Sequence, residues 1–329
     1  MGAVLRHSLN SIQGVTGLMN YGNSCCANAL LQSLCATGEL ADVLDKWKPS
    51  ETEDRNNNVP VQLKKVLLAM RSNSSASHRD FLMCLDHNSI RCCQQHDVDE
   101  VFLSILNLIQ QQMTDRDRAE AIRDLFKVTV MGCLTCSDCT YQQTVTSFLL
   151  SIPLSLREET NSLQSCIQSF FKPQELAGSD SCYCERCGKK TPSSQGLRLV
   201  SLPPIVCVHL KRFRNDHGYT RKLYCEVNFP EVINFGDVLN PDQKTGGSEN
   251  VDHQYILFAV IVHMGTARFG HYTAYVRPRG EETWYYTDDS CTRQVRWEDV
   301  QKSYGGIRET AYMLLYRRDP TNTEQEVSG

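Results

Sequence analysis

Apolar residues change their period along the chain. Between 14 and about 126 they recur at helical spacing: Ala27, Leu30, Leu31 and Leu34 form one stripe. Val98, Val101, Phe102, Ile105, Leu108 and Ile109 form a second. Asn23 and Ser24 are N-cap residue types before the first stripe, and Gly38 is a natural stop after it. Asp97-Val-Asp-Glu100 has the form of a capping box opening the second. From 127 onward short β-branched and aromatic runs take over, at 127–130, 144–150, 204–213, 223–229, 255–263, 272–277, 283–287 and 310–316. One helical insert, 163–171, interrupts them. Polar stretches at 48–58, 71–77 and 241–250 read as loops, and 1–13 and 319–329 as flexible ends. Helices first and strands later predict an α+β fold. A length of 329 residues allows two or three packed units, or one large domain with insertions.

Composition narrows the class. With 41% hydrophobic and 22% charged residues the chain reads as a soluble globular protein. A formal net charge of -4 argues against a nucleic-acid partner. The longest apolar run, 255–262, is too short to span a bilayer, so membrane insertion is not expected. No signal-peptide pattern is recognisable, which makes the cytoplasm, or the nucleus, the expected location. The 16 cysteines are then expected as thiols, metal ligands or a nucleophile rather than disulfides.

Three cysteine and histidine features carry chemistry. Cys25 falls on the first turn of the first predicted helix, where unpaired N–H groups and the helix dipole favour an anion. Gly17 and Gly22 before it permit a tight turn and close approach to a substrate. The competing reading makes Cys25 and Cys26 small buried hydrophobes. Cys136-Ser-Asp-Cys139 and Cys184-Glu-Arg-Cys187 are paired knuckles whose four thiolates match a closed, structural tetrahedral zinc site. Their separation, residues 140–183, exceeds a compact zinc ribbon and predicts that the pairs cap a longer hairpin-like insertion. Cys133 and Cys182 lie near enough to compete as ligands, four metal-free thiols are the alternative, and no thioredoxin-like βαβ pattern supports a redox pair. His271, in Gly270-His-Tyr-Thr-Ala-Tyr275, starts a predicted strand after a glycine-flanked loop, whereas His209 reads as structural. Asp288 and Asp289 end the next strand, from which an acid can orient an imidazole across a hairpin. A thiolate, an imidazole and a carboxylate so disposed form a nucleophilic triad.

Residues 17–32 resemble the Cys box of the ubiquitin-specific proteases, and 255–275 with 284–290 resemble their His box. Gln95-His96-Asp97, Leu210-Lys-Arg-Phe213 and both knuckles follow in the family's order, so the resemblance covers about 14–318. It implies a papain-like hand: a helical thumb (about 14–126), zinc-bearing β fingers (about 127–200) and an antiparallel β palm (about 201–318). It further implies Cys25 as nucleophile, His271 as general base, Asp288 as third member, Asp289 as its support and Asn20 as oxyanion-hole donor. Asp97 and Glu100 match acidic positions that meet a modifier's basic tail, a reading compatible with their role as helix caps. The sequence departs from the pattern at Ser24, Cys26 and His96, usually Thr, an aromatic residue and Gln. With 170–176 and 184–190, these departures resemble members acting on the interferon-induced two-domain ubiquitin-like modifier. That resemblance implies the modifier and its conjugates as substrates. It also implies negative regulation of type I interferon signalling through a receptor chain and a STAT adaptor. The alternatives are a general ubiquitin hydrolase and a mainly non-catalytic scaffold.

Overall fold

A computed structural model describes residues 15–50, 56–72, 78–91, 96–216, 218–240, 243–249 (main chain only at 245–249) and 254–319. The expected flexible ends, Gln95, and parts of the three expected polar loops lie outside these residues. Among the described residues six helices come first: α1 (Cys25–Ala36), α2 (Gly38–Lys46), α3 (Val59–Arg71), α4 (Arg79–His87), α5 (Val98–Gln112) and α6 (Arg116–Asp124). Every residue of α1 except Cys35 is buried, as suits a central helix. Gly38 does not serve as its stop. Thr37 separates the two helices and Gly38 begins α2, where a Cβ would lie 2.7 Å from Cδ of Arg279. Asp97 caps α5 through the Asp99 N–H at 2.9 Å, so the expected box with Glu100 is only half realised. Asn58 and Asp115 cap α3 and α6 in the same way.

Two sheets follow. The larger has eight strands, in the order Cys291–Val295, Trp284–Asp288, Gly270–Val276, Gln254–Gly265, Thr310–Arg318, Ile205–Lys211 and Ile152–Ser155, with Val232–Asn234 on Gln254–Gly265. Ala259 and Ile261 join the core under α1, while Val260 and Val262 join a second core on the opposite face. Cover on both faces explains why 255–262 is an unbroken apolar run. The five-stranded sheet runs Lys244–Glu249, Ser193–Ser201, Val128–Cys136 and Gln142–Leu149, with Gln174–Leu176 also on Ser193–Ser201.

Two expectations fail here for identifiable reasons. Residues 244–249, expected as loop, form a strand parallel to Ser193–Ser201, because main-chain pairing along that neighbour needs no apolar side chains. Of 223–229 only Val227–Asn228 is strand. The carbonyls of Leu223 and Cys225 instead accept from the buried Arg212 guanidinium, at 3.1 and 2.8 Å, leaving no regular ladder there. The α+β class and the helix Leu163–Phe171 agree with the sequence pattern. Among the described residues no helix is long and apolar enough to cross a membrane.

Candidate active site

The segment leading into α1 is fastened to the far end of the chain. The Leu18 N–H donates to the Asp289 carbonyl at 2.8 Å. A Cβ on Gly17 would stand 2.3 Å from the Ser290 carbonyl oxygen, so only glycine fits that contact. The close approach expected of Gly17 is thus to the protein's own chain. Gly22 and Asn23, at φ 81° and 62°, then turn the backbone into the helix. Ser24 occupies the N-cap position without capping. Its Oγ instead accepts from the Tyr21 N–H at 3.0 Å, and its own N–H donates to Asn20 Oδ1 at 3.2 Å. Cys25 therefore opens α1 on a first turn that no Ser24 side chain satisfies, and its side chain is buried.

His271 lies one residue inside the strand Gly270–Val276, opposite Met264. Its Nε2 is 2.6 Å from Oδ1 of Asp288, the last residue of the neighbouring strand. The Cys25 thiol acts on the same imidazole, and the Asp288 bond leaves Nδ1 as the nitrogen to face it. Cys25 and the Asp288 carboxylate together outweigh burial and raise the His271 pKa to about 9. The charged form of the imidazole is thereby favoured.

Asp289 serves a different end. At φ 49° it turns its carboxylate back toward α1, where Oδ2 accepts from Asn20 Nδ2 at 2.8 Å and Oδ1 from Asn28 Nδ2 at 2.7 Å. The fold thus brings Cys25, His271, Asp288, Asp289 and Asn20 into one place. Sequence reasoning missed Asn28, which is buried and also donates to the Met19 carbonyl at 3.2 Å. The available signal was a polar amide inside an apolar helical stripe. His78 was missed as well. Its Nε2 lies 2.9 Å from the Met19 carbonyl, and burial lowers its pKa.

Asp97 and Glu100 stand apart from this group, on the rim of a groove of about 560 Å³ that Leu103, Phe148, Lys211 and Phe213 also line. Asp97 is committed on both oxygens, to the Asp99 N–H and to the Tyr312 hydroxyl. Glu100 is exposed. Asp99 is buried against Nδ1 of His209 at 3.1 Å, in keeping with a structural histidine.

The knuckle cysteines meet at the tips of two hairpins. The thiols of Cys136, Cys139, Cys184 and Cys187 all lie within 4.8 Å of one another, with Cys136–Cys187 at 3.9 Å and Cys139–Cys184 at 3.6 Å. Four thiolates about 2.3 Å from a tetrahedral ion stand about 3.8 Å apart, so the group fits a metal. Hydrogen bonding with the neighbouring sulfurs, Cys139 first, and burial push the Cys187 thiol up to about 12. Cys133 and Cys182 bond instead to the carbonyls of Met131 and Asp180 and are outside the group.

Residues 16–316 match the family described as ubiquitin carboxyl-terminal hydrolase, and the chain belongs to that family. It is accordingly a cysteine-type hydrolase of the deubiquitinase and isopeptidase class. Among individual proteins it is 36% identical over 321 residues to Ubl carboxyl-terminal hydrolase 18 of Mus musculus, covering 94% of this chain and 87% of that one. Its identity to the Homo sapiens protein of the same name is 33%, covering 93% and 85%. Ubiquitin carboxyl-terminal hydrolase 47 of Drosophila melanogaster is 25% identical over 93% of this chain, but only 25% of that longer protein is covered.

The Asn28–Asp289 bond yields a stability prediction. Asn28→Ala leaves a carboxylate oxygen without its donor, and unfolding by denaturant is expected to show a loss of about 1–3 kcal/mol. A variant as stable as the parent would contradict the clamp.

Proposed function

We propose that the protein is a thiol isopeptidase that removes a ubiquitin-like modifier from substrate lysines. The reading rests on the line of Cys25, His271 and Asp288, in which Asp288 bonds the imidazole that Cys25 acts on. In it the Cys25 thiolate attacks the carbonyl carbon of the modifier's terminal glycine. Asn20, one Nδ2 hydrogen held by Asp289, turns the other toward the oxyanion, a contribution of about 2.7–4 kcal/mol. The tetrahedral intermediate collapses as the His271 imidazolium protonates the departing lysine amine, leaving a thioester. His271, now neutral, takes a proton from water, the hydroxide adds to the thioester, and the modifier's carboxylate leaves as Cys25 regains its starting form. Asp288 keeps the imidazole in the tautomer both steps need. Glu100, with Asp97 beside it, would meet the modifier's basic tail in the groove they line.

Zinc is the metal proposed for the four-cysteine group. Cys136, Cys139, Cys184 and Cys187 would occupy all its positions, so the ion would tie the two hairpins together and take no part in the reaction. The helical, zinc-bearing and histidine-bearing parts then correspond to thumb, fingers and palm. For the modifier we favour the interferon-induced two-domain protein. The two relatives named for a Ubl rather than for ubiquitin support this, with 36% and 33% identity over nearly the whole chain. Negative regulation of type I interferon signalling, through a receptor chain and a STAT adaptor in the cytoplasm or nucleus, follows as the biological role. The hydrolase 47 relatives favour the second reading, a ubiquitin hydrolase.

Cys25→Ala is expected to lower turnover of a fluorogenic modifier substrate by about 10³-fold or more while modifier affinity is kept. Unchanged turnover would end the reading. On matched substrates kcat/KM is expected to be higher for the two-domain modifier, and a preference for ubiquitin would select the second reading. Because the imidazolium is the acid that releases lysine and its pKa is raised, kcat/KM is expected to fall as pH rises through about 9. A profile still climbing beyond that point would contradict the assignment. Elemental analysis is expected to find about one zinc per chain, and a folded metal-free protein would refute the site.

A further inference from the structure

His271 has a partner across the sheet in Met264, the residue paired with it on the strand Gln254–Gly265. The carbonyls on either side of Met264, those of His263 and Gly265, both accept from Nζ of Lys222, at 2.8 and 3.2 Å. Lys222 ends the short strand Tyr219–Lys222 and is buried. Its amine also stands 5.2 Å from the centre of the Tyr224 ring. Burial, and then the nearby Arg212 guanidinium, push its pKa down to about 7, so a costly group has been placed here.

The same hairpin is gripped from other sides. The Thr310 hydroxyl donates to the His263 carbonyl at 2.9 Å, and the Tyr224 hydroxyl to the Gly265 carbonyl at 3.3 Å. Gly265 sits at φ 85°, and the Thr266 N–H closes the loop on the Phe269 carbonyl at 2.9 Å. The buried imidazole of His263 packs on Gly270, where an added Cβ would fall 2.0 Å from its Nε2. His271 follows directly. Lys222 is the element of this framework that bonds on both sides of Met264.

We propose that Lys222 is a positioning residue: by bonding the carbonyls of His263 and Gly265 it holds the strand opposite His271 and so sets where the imidazole stands relative to Cys25. The proposal rests on the reading of His271 as the general base. The Lys222 amine is buried on the carbonyls of His263 and Gly265, not on Cys25, His271 or Asp288, so its effect belongs on kcat and not on modifier binding.

Lys222→Met keeps the length of the side chain and removes the donor. In the full chain it is expected to lower kcat by about 10-fold or more with KM within about twofold, since small misplacements of a reacting group are costly. Amide hydrogen exchange is expected to quicken in residues 264–271 and not in α1. An unchanged kcat, or a rise in KM at constant kcat, would overturn the proposal. Should the methionine variant fail to fold, Lys222→Gln decides: lower kcat at constant KM supports the role, and parental kcat overturns it. Cys25→Ala assayed alongside keeps the two ideas separate. Turnover lost in that variant but untouched by Lys222→Met would overturn only the positioning role, whereas turnover surviving Cys25→Ala would overturn the reading beneath it.

Discussion

Everything at the site depends on one seam, where the turn before α1 lies on the backbone after Asp288. The Leu18 N–H meets the Asp289 carbonyl, Gly17 lies flat on Ser290, and the Asp289 carboxylate is shared by Asn20 and Asn28. These contacts fasten residues 17–28 to a hairpin more than 250 positions later. Neither half holds a thiol beside an imidazole by itself. A single side chain larger than hydrogen at position 17 would separate them, because its obstacle is main chain and cannot swing away.

Around the seam the stabilising forces divide by burial. Apolar residues of α1 and α5 pack with Ala259, Ile261 and Tyr272 into one core, which sets how the helices lie on the large sheet. The ion pairs at the outer edge are of another kind. Arg279 reaches Asp42 at 2.9 Å and Arg317 reaches Glu39 at 2.9 Å, joining sheet to α2. The first pair is about half exposed and worth little in water, about 0–1 kcal/mol, while the second is largely buried and bonds the Ala36 carbonyl as well. Arg212 goes further. Fully buried, it donates to the carbonyls of Leu223, Cys225, Tyr304 and Ala311 and thereby shapes the irregular stretch that delivers Lys222 to the histidine hairpin.

Much of this was legible in the residue pattern, and the exceptions have causes. Helices α1 and α5 were readable because one face of each is apolar. Helix α6 was not, since only Ala119 and Ile122 of its nine residues are buried. The strand Ser193–Ser201 opens on the polar run Ser-Ser-Gln-Gly and is held by main-chain pairing on both sides, a force that leaves no mark in hydropathy. At the site, Cys25 and His271 were each unremarkable alone and became candidates through their partners. Asn28 escaped because its function is to satisfy Asp289, and nothing local in the sequence says that position 289 comes near. Ser24 had the right chemistry for a cap, yet its hydroxyl is turned to the Tyr21 N–H.

The central claim is that one sulfur among the 16 cysteines is the nucleophile. Its most direct test is to expose the intact protein to the two-domain modifier bearing an electrophile in place of its terminal carboxylate, then map the adduct by peptide mass spectrometry. The account predicts a single modifier per chain, bonded to Cys25, with Cys26 and the four knuckle cysteines unlabelled. An adduct on any other cysteine, or none under conditions where the modifier binds, would contradict it.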